Sequence, residues 1–173
     1  MFSLFTPKVA LVPSAFFDAS SAREILGRTV VLKDEDEVEY ISLPEYSAEL
    51  VYSLSVGDTK LHAVSREEGP AEAGRVLPEM YFILKDLGKV GDYNKIVASY
   101  SGTHLHLAVA QGGNLLLANV FEAADFTTAE YFIFLVLKKL QLNPEVSMVY
   151  FRTPLAEEEE MSLYRYFKSV ERL

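Results

Sequence analysis

The stretch YSGTHLHLAVAQGGNLLLANVFE (residues 100–122) contains two apolar runs joined through a glycine pair, Gly112-Gly113. Glycines adopt the positive backbone angles that tight hairpin turns require. In the first run, leucine and valine recur at every second position, which is the period of a β-strand. The stretch therefore predicts two hairpin strands over residues 103–110 and 115–121. A further strand over 95–100 precedes them, joined by the tight turn Ser101-Gly102.

A helix and another strand follow this hairpin. Thr127 with Glu130 three residues later fits a capping box, which predicts a helix that begins at Thr127 and ends at Leu142, before Asn143-Pro144. A fourth strand is expected over 146–152 and a final helix over 155–167. A strand-helix-strand passage favours a parallel strand pair. Three antiparallel strands followed by such a passage predict a ribonuclease-H-like half over residues 94–173, the repeat unit of actin-like ATPases.

The preceding residues 1–93 predict a smaller α+β portion. Asp18 and Gly27 fit the cap and the end of a short helix, and Pro78 fits the first turn of a second helix that ends at Gly88. Strands are expected over 38–42 and 48–55, and the polar segment 65–74 is either a surface loop or an internal linker.

Charge restricts the classes of partner. The 173-residue chain has a net charge of −9, and its acidic residues cluster in DEDEVE (34–39) and EEEE (157–160). No basic cluster offers the face that a nucleic acid would require. The acidic runs are expected to be solvated surface, with a cation site or a basic partner as the alternative. This charge is compatible with a protein partner or a homo-oligomer.

The chain has no cysteine, which excludes disulfides, thiol catalysis and thiolate metal sites. Its apolar start lacks the order of regions found in a signal peptide. The apolar run over 131–137 is far shorter than the ~20 residues of a membrane span. We therefore expect a cytoplasmic protein that does not cross a membrane.

Three segments resemble a known family in their order and spacing: ALVPSAFFD with the AREIL helix, LPEYSAELVYSLS, and NLLLANVFEAADFTTAEYFIFLVLKKLQLNPE. They resemble the uncharacterised family numbered 3822 in the domain-of-unknown-function series, from Bacteroides-type bacteria. This resemblance implies an actin-like ATPase fold, with two ribonuclease-H-like halves facing across a cleft. It implies no function.

The start of the chain departs from that family. Its members carry a further hairpin-bearing segment before the piece that is similar to TPKVALVP, whereas Met1 here lies almost directly before it. The chain is thus either a shortened member or part of a longer protein. If it stands alone, one half is incomplete at its N-terminus.

The resemblance also implies where a nucleotide would bind. Actin-like ATPases use an acidic residue at the end of the first strand of each half and glycines in the next turn. Here Gly102 is present, but Ser99 occupies the position of the acid. The later glycine pair that makes room for the adenosine is also missing, because no glycine follows Gly113. Ser99, Ser101, Gly102 and Thr103 are the candidate cofactor-binding residues. We nevertheless expect an ordinary hairpin with no cofactor, and magnesium-ATP as the alternative.

His104 and His106 lie two apart on one strand, and hence on one face, so both could contact one metal ion. A zinc site needs three or four protein ligands, and the only other histidine is His62. Ser101 near His104 lacks the strand-turn-helix setting of a hydrolase nucleophile. We predict no catalytic residues and no metal site, with His104 and His106 as the candidate metal ligands.

One helical face near the C-terminus is a candidate interaction surface. Leu163, Tyr164 and Phe167 recur at helical spacing. If the chain does not itself cover this face, it is the best candidate docking patch.

Two functional hypotheses follow. The first is a non-catalytic protein-interaction or scaffold protein on a degenerate actin-like fold. The second is a nucleotide-binding ATPase or sugar-kinase-like enzyme with an atypical site. The missing acid and glycines favour the first, although one fold hosts many functions.

Overall fold

The computed structural model describes residues 1–54, 61–63 and 75–173. The predicted loop or linker over 65–74 and the end of the predicted strand 48–55 lie outside these residues. The chain divides into two compact units, Met1–Tyr81 and Phe82–Leu173. The expected domain boundary between residues 93 and 94 lies within the second unit and stays a prediction.

The first unit is mixed α/β. Its elements are β1 (Phe2–Leu4), β2 (Val9–Pro13), α1 (Ala22–Gly27), β3 (Val38–Leu43), β4 (Ala48–Ser53), β5 (Leu61–Ala63) and β6 (Val76–Pro78), followed by α2 (Glu79–Leu87), which continues into the second unit. One sheet has the order β5-β1-β6 and the other the order β2-β4-β3. The helix and the two strands predicted between residues 18 and 53 are confirmed. Pro78 ends a strand, so α2 begins one residue later than the sequence indicated.

One member of the acidic run 34–39 is buried rather than solvated. Asp36 is 3 % exposed, and its Oδ2 accepts hydrogen bonds from Lys8 Nζ at 2.5 Å and from the Lys33 amide at 2.7 Å. The hydrogen bond from Lys8 is the main cause that lowers the pKa of Asp36. The expectation of a wholly solvated run was therefore wrong at Asp36, because the fold pairs this carboxylate with a lysine distant in sequence.

The second unit contains a five-stranded sheet. Its elements are β7 (Asn94–Tyr100), β8 (His104–Gln111), β9 (Asn114–Glu122), α3 (Phe126–Lys139), β10 (Met148–Phe151), α4 (Glu157–Tyr164) and β11 (Ser169–Arg172). The strand order is β11-β10-β7-β8-β9. β7, β8 and β9 pair antiparallel, whereas β10 pairs parallel with β7 and with β11. The predicted antiparallel strands and the parallel crossover through a helix are confirmed.

The beginning of α3 differs from the prediction. Its N-cap is Asp125, whose side chain accepts from the Thr128 amide at 2.7 Å. Aspartate is as good a cap as threonine, and here it lies two residues earlier than the predicted Thr127. The helix ends at Lys139, because Gln141 adopts a positive φ of 58° that stops it before Asn143.

The main core of the second unit lies between the sheet and helices α3 and α4. Its buried residues include Ile96, Ala98, Leu105, Leu107, Val109, Ile133, Val136, Leu137, Val149, Phe151, Leu163 and Phe167. The alternating residues of β7, β8 and β10 supply one sheet face, and α3 supplies a stripe at helical spacing. Of the described helices, none is both long and apolar enough to cross a membrane.

Candidate functional site at the hairpin between β7 and β8

The turn that contains three candidate residues is closed by its own hydrogen bonds. The Ser101 amide donates to the His104 carbonyl at 3.0 Å. The Ser101 hydroxyl donates to the same carbonyl at 3.2 Å and accepts from the His104 amide at 3.1 Å. Gly102 has a φ of 86°, which favours glycine over residues with a Cβ. The polar groups of Ser101 therefore serve the geometry of the turn.

Two neighbouring segments fix this turn in place. The Tyr100 amide donates to the Thr153 hydroxyl at 2.9 Å. The Ala123 amide donates to the Thr103 carbonyl at 2.8 Å, and the Tyr100 hydroxyl donates to the Ala123 carbonyl at 3.3 Å. The turn is thus anchored to the residues that follow β9 and to those that follow β10.

Ser99 occupies the position where the family resemblance would place an acid. It is fully buried, at 0 % exposure, and pairs in register with His106 of β8. A serine hydroxyl is neutral and cannot attract a metal ion by charge as a carboxylate does. What Ser99 can supply here is hydrogen bonding within the sheet.

The two histidines have different environments although they share one strand face. His104 is partly exposed, with Nδ1 3.0 Å from the Thr103 hydroxyl. His106 is fully buried. Burial, with a further contribution from the neighbouring His104, lowers the pKa of His106 to about 3, so its ring is neutral at pH 7. In the part of the chain that the structure describes, no group of three or more His, Asp or Glu side chains is placed to hold a metal ion.

An ion pair that the sequence did not predict involves Arg152, which follows Phe151 of the core under α3 and whose amide donates to the Ala98 carbonyl of β7. Because side chains alternate along an extended strand, Arg152 is directed to the same side of the sheet as His106. Asp86 of α2 binds the Arg152 guanidinium and also contacts Lys89 Nζ at 2.8 Å. The side chains of Asp86 and Arg152 are 10 % and 13 % exposed. Arg152 also lies over the ring of Phe82, 5.4 Å from its centroid. The spacing of Asp86 and Lys89 at i,i+3 was visible in the sequence, but the contact with Arg152, 66 residues away, had no local signal.

The predicted docking patch near the C-terminus requires a correction. Leu163 and Phe167 are 0 % and 4 % exposed and belong to the core. Phe167 stacks on Phe134 with ring centroids 5.7 Å apart. Only Tyr164 is exposed, and its hydroxyl donates to the Val170 carbonyl at 3.0 Å. The chain itself therefore covers this face. The helical spacing of Leu163 and Phe167 reflects packing into the core.

Comparison with known proteins establishes the fold. Residues 4–170 match the model of a family described as protein of unknown function, DUF3822. The chain aligns with the crystal structure of a Bacteroides thetaiotaomicron VPI-5482 protein that has an actin-like ATPase fold and unknown function, with a TM-score of 0.70 and 17 % sequence identity. The alignment covers 97 % of this chain and 65 % of that one, so the chain spans slightly less than two thirds of that protein.

A second solved structure, a PilM-PilN complex of type IV pilus biogenesis, aligns with a TM-score of 0.42 and 14 % identity, over 99 % of this chain and 66 % of that one. No curated protein matches the sequence. The first alignment shows a mixed α/β, actin-like ATPase fold, which confirms the fold class predicted from the strand order and the family resemblance.

Proposed function

The chain belongs to the DUF3822 family of proteins of unknown function, and we propose that it is a non-catalytic protein-interaction or scaffold protein on a degenerate actin-like fold. The observation that carries this proposal is the closed hairpin turn between β7 and β8. Both polar groups of Ser101 are bonded to His104. A phosphate cradle requires backbone amides that converge on the anion instead.

The residue at the acid's position supports the same reading. Ser99 is neutral and fully buried, whereas an actin-like ATPase needs a carboxylate to place its metal ion. A fold without that carboxylate retains its surfaces, and these can bind other proteins. The partner is a protein or a second copy of the chain, and we place the protein in the cytoplasm. The net charge of −9 argues against nucleic acid as the partner.

The second candidate is a nucleotide-binding ATPase or sugar-kinase-like enzyme with an atypical site. The fold itself and the glycine turn at Gly102 favour it, because glycine allows a close backbone approach to phosphate. Fold alone is weak support for an activity. Magnesium-ATP would be its ligand.

Thermal melting with and without magnesium-ATP separates the two candidates. A ligand present at 100 times its Kd stabilises the folded state by about 2.7 kcal/mol, which raises the melting temperature by several degrees. We expect no shift beyond that produced by magnesium alone, and no ATP hydrolysis above a blank. A reproducible shift that requires both magnesium and ATP would overturn the proposal and favour the enzyme.

Gly102→Ala serves as the matched control. Because Gly102 has a φ of 86°, an alanine there should lower the free energy of unfolding by about 1 kcal/mol. We expect the same loss with and without magnesium-ATP. A larger loss in the presence of magnesium-ATP would instead indicate that the turn contacts the ligand.

A further inference from the structure

The two edge strands of the five-stranded sheet differ in length and composition. β11 has four residues, two of which, Glu171 and Arg172, are charged. β9 has nine residues, NLLLANVFE, with no proline, lysine or arginine and a single charge at Glu122. Short, charged edges resist pairing with another chain, whereas long, apolar edges invite it. By this criterion β9 is an edge that is suited to pairing.

Among the residues that the structure describes, β9 forms strand pairing with β8 alone, so only one of its two edges is paired there. The Ala123 amide donates toward β8, to the Thr103 carbonyl. Because successive residues of a strand direct their backbone groups to opposite sides, Ala118, Val120 and Glu122 direct theirs away from β8.

The regular part of β9 has a defined length. A register shift opposite Val109 and Ala110 displaces Leu116, where the strand carries an extra residue. A bulge of this kind disturbs the ladder locally and turns the edge. The uninterrupted stretch is therefore 117–122, and its central residue with outward backbone groups is Val120.

We propose that the open edge of β9 pairs antiparallel with β9 of a second copy of this chain, centred on Val120. This inference rests on the proposed function, since it names the surface and the partner of an interaction protein. In this register, Val120 faces Val120 of the second copy, and Glu122 faces Ala118 of the second copy. Each outward amide meets an outward carbonyl, as an antiparallel ladder requires.

The charge of β9 does not oppose a second copy as the occupant. The two Glu122 side chains are four residues apart along the paired strands, about 14 Å. Their repulsion is largely screened, because the Debye length is about 8–10 Å at physiological salt. Every other side chain of β9 is uncharged, so the strand is compatible with itself despite the chain's net charge of −9.

An aromatic surface continues the edge on the side of α3. Phe121 stacks on Phe132 with ring centroids 4.8 Å apart, and Tyr131 meets Phe132 edge-on at 5.5 Å. Tyr131 is 60 % exposed. Antiparallel pairing of a strand with its own copy has a two-fold axis perpendicular to the sheet, which leaves both α3 helices on one face. The two aromatic surfaces then adjoin and add apolar area to the strand pairing.

Cysteine cross-linking tests both the pairing and its register. The chain has no native cysteine, so Val120→Cys introduces a single thiol. Facing residues of an antiparallel ladder have Cα atoms about 5.5 Å apart, within the range of a disulfide. Under mild oxidation we expect Val120→Cys to form a covalent dimer. Ala118→Cys, on the same edge but about 14 Å from its own copy, should remain uncross-linked.

Sedimentation analysis of the whole chain supplies the second measurement. We expect a concentration-dependent dimer of the 19.4 kDa chain. Val120→Lys, which places two like charges opposite each other, should weaken it on the order of tenfold or more. Ser169→Lys adds the same charge to β11 and should leave the dimer unchanged.

A wild-type chain that stays monomeric at 100 μM (about 100-fold above a micromolar Kd) would overturn the inference, as would equal cross-linking of the two cysteine variants. Neither result bears on nucleotide binding. A monomer that shows no response to magnesium-ATP would therefore leave the proposed interaction role intact while removing this surface. A melting shift with magnesium-ATP would instead remove the proposed function, whatever the cross-linking result.

Discussion

The two faces of the five-stranded sheet bury side chains of different chemistry, although the same strands contribute to both faces. The face under α3 is apolar, with Leu105 and Leu107 of β8 fully buried. The opposite face of the same strands carries Ser99 and His106, also fully buried, and the Asp86–Arg152 pair lies on the same side of the sheet. Apolar burial stabilises independently of charge state, whereas buried polar groups stabilise only while their partners and protonation are maintained. The first face should respond to side-chain volume and the second to charge and pH.

The largest effect is expected on the apolar face. Leu137 of α3 is 1 % exposed within the main core. Leu137→Ala should lower the free energy of unfolding by about 3–5 kcal/mol, because it removes buried apolar surface and leaves a cavity. Urea denaturation followed by circular dichroism measures the loss.

Leu116→Ala is the matched control on β9, since Leu116 is 39 % exposed. The same leucine-to-alanine change should cost less than about 1 kcal/mol there. Equal denaturation midpoints for the two variants would contradict the assigned burial of α3.

The ion pair should give the next largest effect. Asp86→Ala leaves the Arg152 guanidinium mostly buried without this carboxylate, and should cost about 3 kcal/mol. The double variant Asp86→Ala with Arg152→Ala should cost less than the sum of the single changes, because it removes both charges. Denaturation of the four proteins in a double-mutant cycle measures the coupling. Strict additivity would show that the pair contributes nothing.

The smallest effect of the three depends on pH. Because burial lowers the pKa of His106 to about 3 from the usual histidine value of about 6.5, the unfolded chain binds the proton more readily than the folded one between these values. Stability from this group is thus fully present above pH 6.5 and is lost as pH falls toward 3, by about 1.4 kcal/mol per pH unit.

His106→Gln isolates this contribution, since glutamine stays neutral throughout that range. Between pH 7.5 and pH 5 the variant should lose about 2 kcal/mol less stability than the wild type. Urea denaturation at both values measures the difference. Parallel losses in the two proteins would show that His106 is not buried in its neutral form.

The contrast between the faces also explains how far the sequence could predict this structure. The apolar face follows from local patterns, because alternating leucines in β8 and helical spacing in α3 are each visible within a few residues. The closed turn at Gly102 was equally local. The partner of Asp86 was not, since Arg152 lies 66 residues away and only the tertiary fold brings the two side chains together.

Burial was the other property that local patterns could not assign. Leu163 and Phe167 have the spacing of an apolar helical face, but this spacing is the same for a covered face and for an exposed one. The structure shows that both side chains are buried in the core. The other acidic residues of the run 34–39 are exposed. Asp36 differs from them because Lys8, which is distant in sequence, pairs with its carboxylate. β11, with two charged residues of four, lacks the apolar pattern of a strand and was missed.

The mixed strand order of the sheet has a consequence for the folding pathway. β7, β8 and β9 are consecutive and joined by short turns, whereas β10 must reach β7 across more than fifty residues, since Tyr150 pairs with Val97. Closing a longer loop costs more entropy, so the antiparallel meander should form first and the parallel strands should dock later.

In pulse-labelling hydrogen exchange during refolding, amides of β8 should gain protection before those of β10. Until α3 docks, the meander would expose its leucine-bearing face to solvent, which makes this stage the one most prone to aggregation.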